Sequence, residues 1–259
     1  MQGSGVLTDR HDCPTLSFQA TKPDLIMSPR LNDPRYASIS RPSGDALALL
    51  RQVQRDCAAP IVAEIGVGIG ATTAELARLM DNRGELHLFD YVNTLDSLMG
   101  ELAEAGCRIA VPHPNGRKIF ESYNWTLALL LRKMRAAGGN GLFDLAYLDG
   151  AHTWQHDAPA ALALARLLKP GGILLLDDFG WTLANSPTLN PERQPATAAN
   201  YSEAQIAMPH IALICEVFLD HDEELERLPL PLPLPLPLPA GKGLPLRRAY
   251  RRRMNWAWD

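Results

Sequence analysis

Glu64 stands directly before the run Ile65-Gly66-Val67-Gly68-Ile69-Gly70, an acid set against a glycine-rich bend. Glycines there permit a tight turn and let a ligand approach the backbone closely. A helix starting beyond the bend offers free N–H groups to a carboxylate or a phosphate. The spacing is G-x-G-x-G rather than the G-x-G-x-x-G of dinucleotide binders. Asp90 closes the next apolar run, where a carboxylate can accept both hydroxyls of a ribose or simply serve as a strand-end turn residue. Asp149 and the pair Asp177-Asp178 end two later apolar runs. Three converging carboxylates repel one another unless a cation sits between them, and hard ions such as Mg²⁺ favour oxygen ligands. The alternative is that Asp177 and Asp178 cap a turn while Asp149 binds backbone amides. His152 lies three residues past Asp149, and histidine as a residue type is suited to proton transfer near neutral pH. It can take a hydroxyl proton as a general base, or it can hydrogen-bond an aspartate and orient it. His156, one turn on, reads as a supporting or solvent-facing residue, and Trp154 and Trp181 flank the expected mouth.

These residues need a scaffold that brings distant positions together, and the patterning predicts one. Residues 60–65 read as a buried strand, and Leu76, Leu79 and Met80 give helical spacing after the glycines. Residues 85–90 form a second strand, followed by a helix at about 94–105 and a third strand at 108–111. The run 117–136 is helical and stops at Gly138-Gly139-Asn140-Gly141. Residues 142–149 form the fourth strand. Ala158, Ala161, Leu162, Ala165 and Leu168 line a helical face that Lys169-Pro170-Gly171-Gly172 should stop, and 173–177 form the fifth strand. Such alternation predicts an α/β doubly wound, mostly parallel sheet. The carboxyl ends of its strands open onto one crevice, where ligands of such sheets bind.

The flanks carry less pattern. Residues 1–44, rich in Pro, Ser and Asp, are expected to form an N-terminal arm or lid, with a helix at about 44–57 and the main domain over 45–259. Residues 179–200 read as a long loop. From Leu228 to Pro239 leucine and proline alternate, which fits a polyproline linker. The preferred reading is an edge strand whose prolines all face outward, pairing with a last strand at 244–251 in a C-terminal antiparallel hairpin. Net charge is −4, but residues 227–258 hold seven Lys/Arg and no acid, leaving 18 Lys/Arg against 29 Asp/Glu elsewhere. A basic tail can touch nucleic acid, yet a nucleic-acid enzyme would spread basic charge over its body, so a solvated strand end offsetting an acidic body is preferred. No run of eighteen apolar residues lacks a charge or proline, which excludes a membrane-spanning helix. The first residues show no secretory pattern. Cys13, Cys57, Cys107 and Cys215 are scattered, which excludes a zinc cluster and points to a reducing, cytoplasmic setting.

Taken together, EIGVGIG, LHLFD, FDLAYLDG and LLKPGGILLLDD resemble the motifs of class I S-adenosylmethionine-dependent methyltransferases over about residues 60–180. The resemblance implies a Rossmann-like seven-stranded sheet. It implies that the backbone of Gly66, Gly68 and Gly70 holds the methionine end of S-adenosyl-L-methionine, that Glu64 orients its amino end and that Asp90 takes the ribose. Asn115, in the stretch after the third strand, would border the adenine, and Asp149 would touch the cofactor. YLDGAH followed by LLDDF resembles the metal-dependent O-methyltransferases, of the catechol and macrocin-like kinds. This implies Mg²⁺ at Asp149, Asp177 and Asp178, with Asp149 and His152 serving catalysis on a hydroxylated small molecule, a natural product or a sugar. Asp178 replaces the amide of the catechol type, which favours the macrocin-like side. Two other readings remain open: an RNA methyltransferase using the tail 247–253, and a non-catalytic cofactor-binding protein whose Leu-Pro run recruits a proline-recognition domain. Either flank could also form a homo-oligomer interface.

Overall fold

The apolar runs flanking the glycine bend become adjacent strands of one sheet. The computed structural model describes residues 41–118, 120–230 and 246–254. Five parallel strands, β1 (Ile61–Ile65), β2 (Glu85–Tyr91), β3 (Ala110–Asn115), β4 (Phe143–Leu148) and β5 (Leu168–Leu176), are joined by two more, β6 (Leu225–Leu228) and β7 (Arg248–Arg252). Their order is β3-β2-β1-β4-β5-β7-β6, with β7 antiparallel to both neighbours. The winding reverses direction beside β1, which pairs with β2 on one side and β4 on the other. A crevice opens at such a switch point.

Helices cover both faces because the strand side chains alternate. On one face Val62, Leu86, Leu88, Leu145, Ile173 and Leu175 pack against α1 (Gly44–Asp56), α2 (Ala71–Met80) and α3 (Val92–Glu104). On the other, Ala63, Ile65, Phe89, Phe143, Leu174 and Leu176 meet α4 (Tyr123–Ala136), α5 (Trp154–Leu167) and the segment 211–219. Ser43 caps α1, accepting from the Ala46 amide at 3.4 Å. Asp45 sits in the favourable first turn.

Several boundaries differ from those read in the sequence. The third strand runs over Ala110–Asn115 rather than 108–111 and contains Pro112 and Pro114. They are tolerated because β3 is an edge: both are exposed, and the strand pairs only with β2. Helix α4 begins at Tyr123, not 117, where the Ser122 hydroxyl accepts from the Asn124 amide. Lys169-Pro170-Gly171-Gly172 forms no loop. Helix α5 ends at Leu167 and β5 begins at once, absorbing the irregularity as a register shift against Phe143 and Leu145. The expected loop 179–200 holds a 3₁₀ turn (Leu183–Asn185) and helix α6 (Pro195–Asn200), followed by α7 (Glu203–Ala207) and α8 (His210–Ile214). The antiparallel pair exists, but its outer strand is Leu225–Leu228, before most of the Leu-Pro run, and its inner strand is Arg248–Arg252 rather than 244–251. The bulk of 228–239 and the arm 1–44 up to residue 40 lie outside the described residues. No described helix is long and apolar enough to cross a membrane.

Candidate active site

The bend between β1 and α2 is pressed onto the end of β4. Gly66 has φ +83°, and a Cβ there would stand 1.9 Å from the Asp149 carbonyl oxygen. Its amide donates to the Phe89 carbonyl at 2.8 Å, and the Asp149 amide donates to the Ile65 carbonyl at 2.9 Å. Gly70 caps α2 at φ +83°, where a Cβ would meet Leu98 at 2.5 Å, while Gly68 faces open space. Backbone therefore lines the bend, and its shape depends on glycine at the contact points. A cleft of about 1060 Å³ opens above it, lined by Glu64, the bend, Asp90, Asn115, Asp149, His152, Asp177 and Asp178 among others. Of the ten positions expected to bind cofactor or metal or to serve catalysis, nine line this cleft, and Gly70 is not among its lining residues.

Asp90 spends part of its carboxylate on the bend itself: Oδ2 accepts from the amides of Val67 (2.9 Å) and Gly68 (3.1 Å). Glu64 is buried, and Oε2 accepts from the Thr73 hydroxyl at 2.7 Å. Burial lifts its carboxyl to about 8, with the charges of Asp149 and Asp90 adding to the effect against the Thr73 hydrogen bond. An acid held this way is poised to receive a cationic group. On the other side of the bend, the buried Asn115 donates from its amide nitrogen to the Gly116 carbonyl at 3.3 Å. Its Oδ1 is buried without a hydrogen-bond partner. An orphaned acceptor at a cleft wall suits an amino group of a ligand. The glycine cradle, Glu64 and Asn115 therefore fit S-adenosylmethionine.

The acids at the ends of β4 and β5 divide into two groups. Asp149, His152 and Asp178 offer donor atoms all within 4.8 Å of one another. His152 Nε2 lies 3.3 Å from Asp178 and 3.9 Å from Asp149. Both His152 (φ 56°) and Asp178 (φ 52°) adopt left-handed backbone, which is costly for residues other than glycine. Enclosure in the cleft floor, then the facing charges of Asp177 and Asp178, hold the Asp149 carboxyl well above the usual carboxylate range. Two carboxylate oxygens and an imidazole nitrogen in mutual reach are a donor set that fits a divalent cation. Asp177 is differently engaged. Its Oδ2 accepts from Arg247 Nε at 2.9 Å and from the Tyr147 hydroxyl, and its Oδ1 accepts from the Asp178 amide at 2.8 Å. The trio read from the sequence included Asp177; the mutually reachable trio has His152 in its place.

Tyr147 and Arg247 escaped the sequence reading. Tyr147 lies two residues before Asp149, on the same side of β4, so the period of the strand could have exposed it. It also donates to Asp149 Oδ2 at 3.1 Å, bridging two acids. Arg247 reaches the site from the far end of the chain and also pairs with Asp45 of α1 at 3.4 Å, and nothing local in sequence announces that. Three other tail arginines are also committed: Arg248 to Asp220, Arg251 to Glu226, and buried Arg252 beside Glu224. Among the tryptophans, Trp154 stacks on Phe218 away from the acids, whereas the Trp181 ring lies 5.3 Å from the His152 ring. His156 contacts the Thr153 hydroxyl at 2.9 Å.

Residues 63–179, the part that builds this site, match the family model described as a methyltransferase domain. Over those residues the chain is similar to methyltransferase domains. Among solved structures, cofactor-bound Rv0187 from MTB is similar at 18% identity, covering 84% of this chain and 83% of that one, with a TM-score of 0.50. A putative O-methyltransferase from Klebsiella pneumoniae shares 15% identity over 82% and 81% of the two chains, with a TM-score of 0.49. An O-methyltransferase from Bacillus cereus in complex with SAH shares 16% identity over 73% and 74%, with a TM-score of 0.46. At such identities the likeness is one of fold. No curated protein matches the chain.

Proposed function

We propose that the protein methylates a hydroxyl of a small molecule, a natural product or a sugar, with a divalent ion held by Asp149 and Asp178. One observation carries this reading: the Asp149–His152–Asp178 group and the Glu64–glycine bend share one cleft, and Gly66 rests on the Asp149 backbone. S-adenosylmethionine supplies an electrophilic methyl on a sulfonium, whose bond to sulfur breaks as the bond to the acceptor oxygen forms. A divalent ion such as Mg²⁺ supplies positive charge that favours ionisation of a nearby hydroxyl. Glu64 receives the ammonium group and gives up its own proton in doing so. The bend fixes the methionine end, Asp90 faces the ribose and Asn115 Oδ1 accepts from the adenine amino group. His152 Nε2 takes the acceptor's proton, and Asp178, 3.3 Å away, stabilises the resulting imidazolium. Asp177, neutralised by Arg247, holds Tyr147 beneath Asp149 and so positions it.

A second reading has its own support: His152 Nε2 is close enough to both carboxylates to be the third ligand instead of the base. Ion binding separates the two. In His152→Ala, unchanged affinity for Mg²⁺ or Mn²⁺ with a slower, pH-shifted rate marks a base, and lost affinity marks a ligand. For the function itself, a chelator should abolish turnover while calorimetric S-adenosylmethionine binding persists, and Asp149→Asn and Asp178→Asn should imitate it. Full turnover in excess chelator refutes the metal-assisted reading. An RNA substrate is disfavoured because Arg247, Arg248, Arg251 and Arg252 already face acids of this chain.

A further inference from the structure

S-adenosylmethionine ends in a zwitterion, and Glu64 answers only its positive half. The negative half enters a cleft floor already crowded with Glu64, Asp90, Asp149, Asp177 and Asp178, and a carboxylate placed there needs a countercharge. Most cations lining the cleft are committed or distant. Arg247 is paired with Asp177 and Asp45. Arg117 lies over the Tyr91 ring at 5.7 Å, and it and Lys118 follow β3 on the Asn115 side. Arg41 differs: it is exposed, it lines the cleft and it makes no ion pair among the described residues.

The chain around Arg41 is anchored where the methionine end must lie. Two residues on, the Ser43 amide donates to the Thr72 hydroxyl at 3.1 Å. The next residue of α2, Thr73, donates its hydroxyl to Glu64 at 2.7 Å. Adjacent residues of one helical turn thus hold the segment bearing Arg41 and the acid that receives the ammonium. The same turn presents the free amides of the α2 N-terminus, which favour a carboxylate.

We infer that Arg41 receives the cofactor's carboxylate, so that the zwitterion is clamped between Arg41 and Glu64. The inference rests on the methyl-donor reading given above. It makes Arg41 a binding residue that selects amino-acid-bearing donors over donors lacking the carboxylate, and a guanidinium is well suited to a planar anion.

The test is calorimetric titration of the wild-type protein, Arg41→Ala and Arg41→Lys with S-adenosylmethionine and with its decarboxylated analogue, which keeps the amine and loses the carboxylate. Arg41→Ala should weaken S-adenosylmethionine about tenfold and the analogue by less than about twofold. Arg41→Lys should restore part of the loss. Because the side chain is exposed, the thermal midpoint of the free protein should not move, which guards against misfolding. Equal weakening of both ligands, or no weakening of either, overturns the inference and leaves the methyl-donor reading standing. A wild-type protein that binds neither ligand overturns both.

Discussion

Glu64→Gln should make the cofactor-free protein more stable while weakening its hold on the cofactor. The Glu64 carboxyl sits at about 8 in the fold against an ordinary 4.5, because burial disfavours the charged form. Between those values the native state binds a proton that the unfolded chain has released, so stability falls as pH rises from 4.5 towards 8. At roughly 1.36 kcal/mol per pH unit, the cost reaches about 3 kcal/mol at pH 7 and levels off above pH 8. Glutamine carries no charge at any pH, and its side-chain oxygen can still accept from the Thr73 hydroxyl. Denaturant unfolding of both proteins at pH 4.5, 6, 7 and 8 should show a gap near zero at the lowest pH that widens to about 3 kcal/mol at pH 7. Cofactor binding should reverse the trend in the wild type, since an ammonium beside Glu64 expels its proton. Calorimetry in buffers of different ionisation enthalpy should then read close to one proton released near pH 7, and none in Glu64→Gln. A stability gap that does not vary with pH would refute the reasoning, since it would mean that Glu64 is ionised in the fold as it is in the open chain.

Two further predictions probe the supports of the site. Gly66→Ala would drive a Cβ into the Asp149 carbonyl at a positive φ; it should cost at least about 2 kcal/mol in denaturant unfolding and abolish cofactor binding by calorimetry. Arg247→Met removes the partner of Asp177 and leaves that buried acid facing Asp149 and Asp178. It should destabilise the protein by about 3 kcal/mol at pH 7, read by denaturant midpoint, and Asp177→Asn in the same background should recover part of the loss.

Much of the scaffold was legible because its signals are local. Strands buried on both faces read as continuous apolar runs, as in Ile173-Leu174-Leu175-Leu176, whose alternate residues go to opposite helix layers. The boundaries that moved did so for reasons outside any short window. Pro112 and Pro114 argue against a strand until β3 is known to lie at an edge, and the Lys169–Gly172 turn signal is taken up inside β5 as an irregularity between the pairs Phe143–Leu168 and Leu145–Ile173.

For the site, sequence by itself determined the identities: an acid before a glycine bend, and acids at the ends of three more strands. Their period and punctuation are properties of neighbouring residues, and parallel winding then sends all those ends to one side of the sheet. Only the tertiary structure decided which acids are taken up by partners within the chain and which face the cleft beside His152. Asp177 and Asp178 are neighbours in the chain, yet a strand-end residue faces Arg247 and Tyr147 while the next, turned by its left-handed backbone, faces His152. That division depends on an arginine 70 positions away along the chain. Electrostatic pairing is a matter of distance in space, and spacing along the chain carries no record of it.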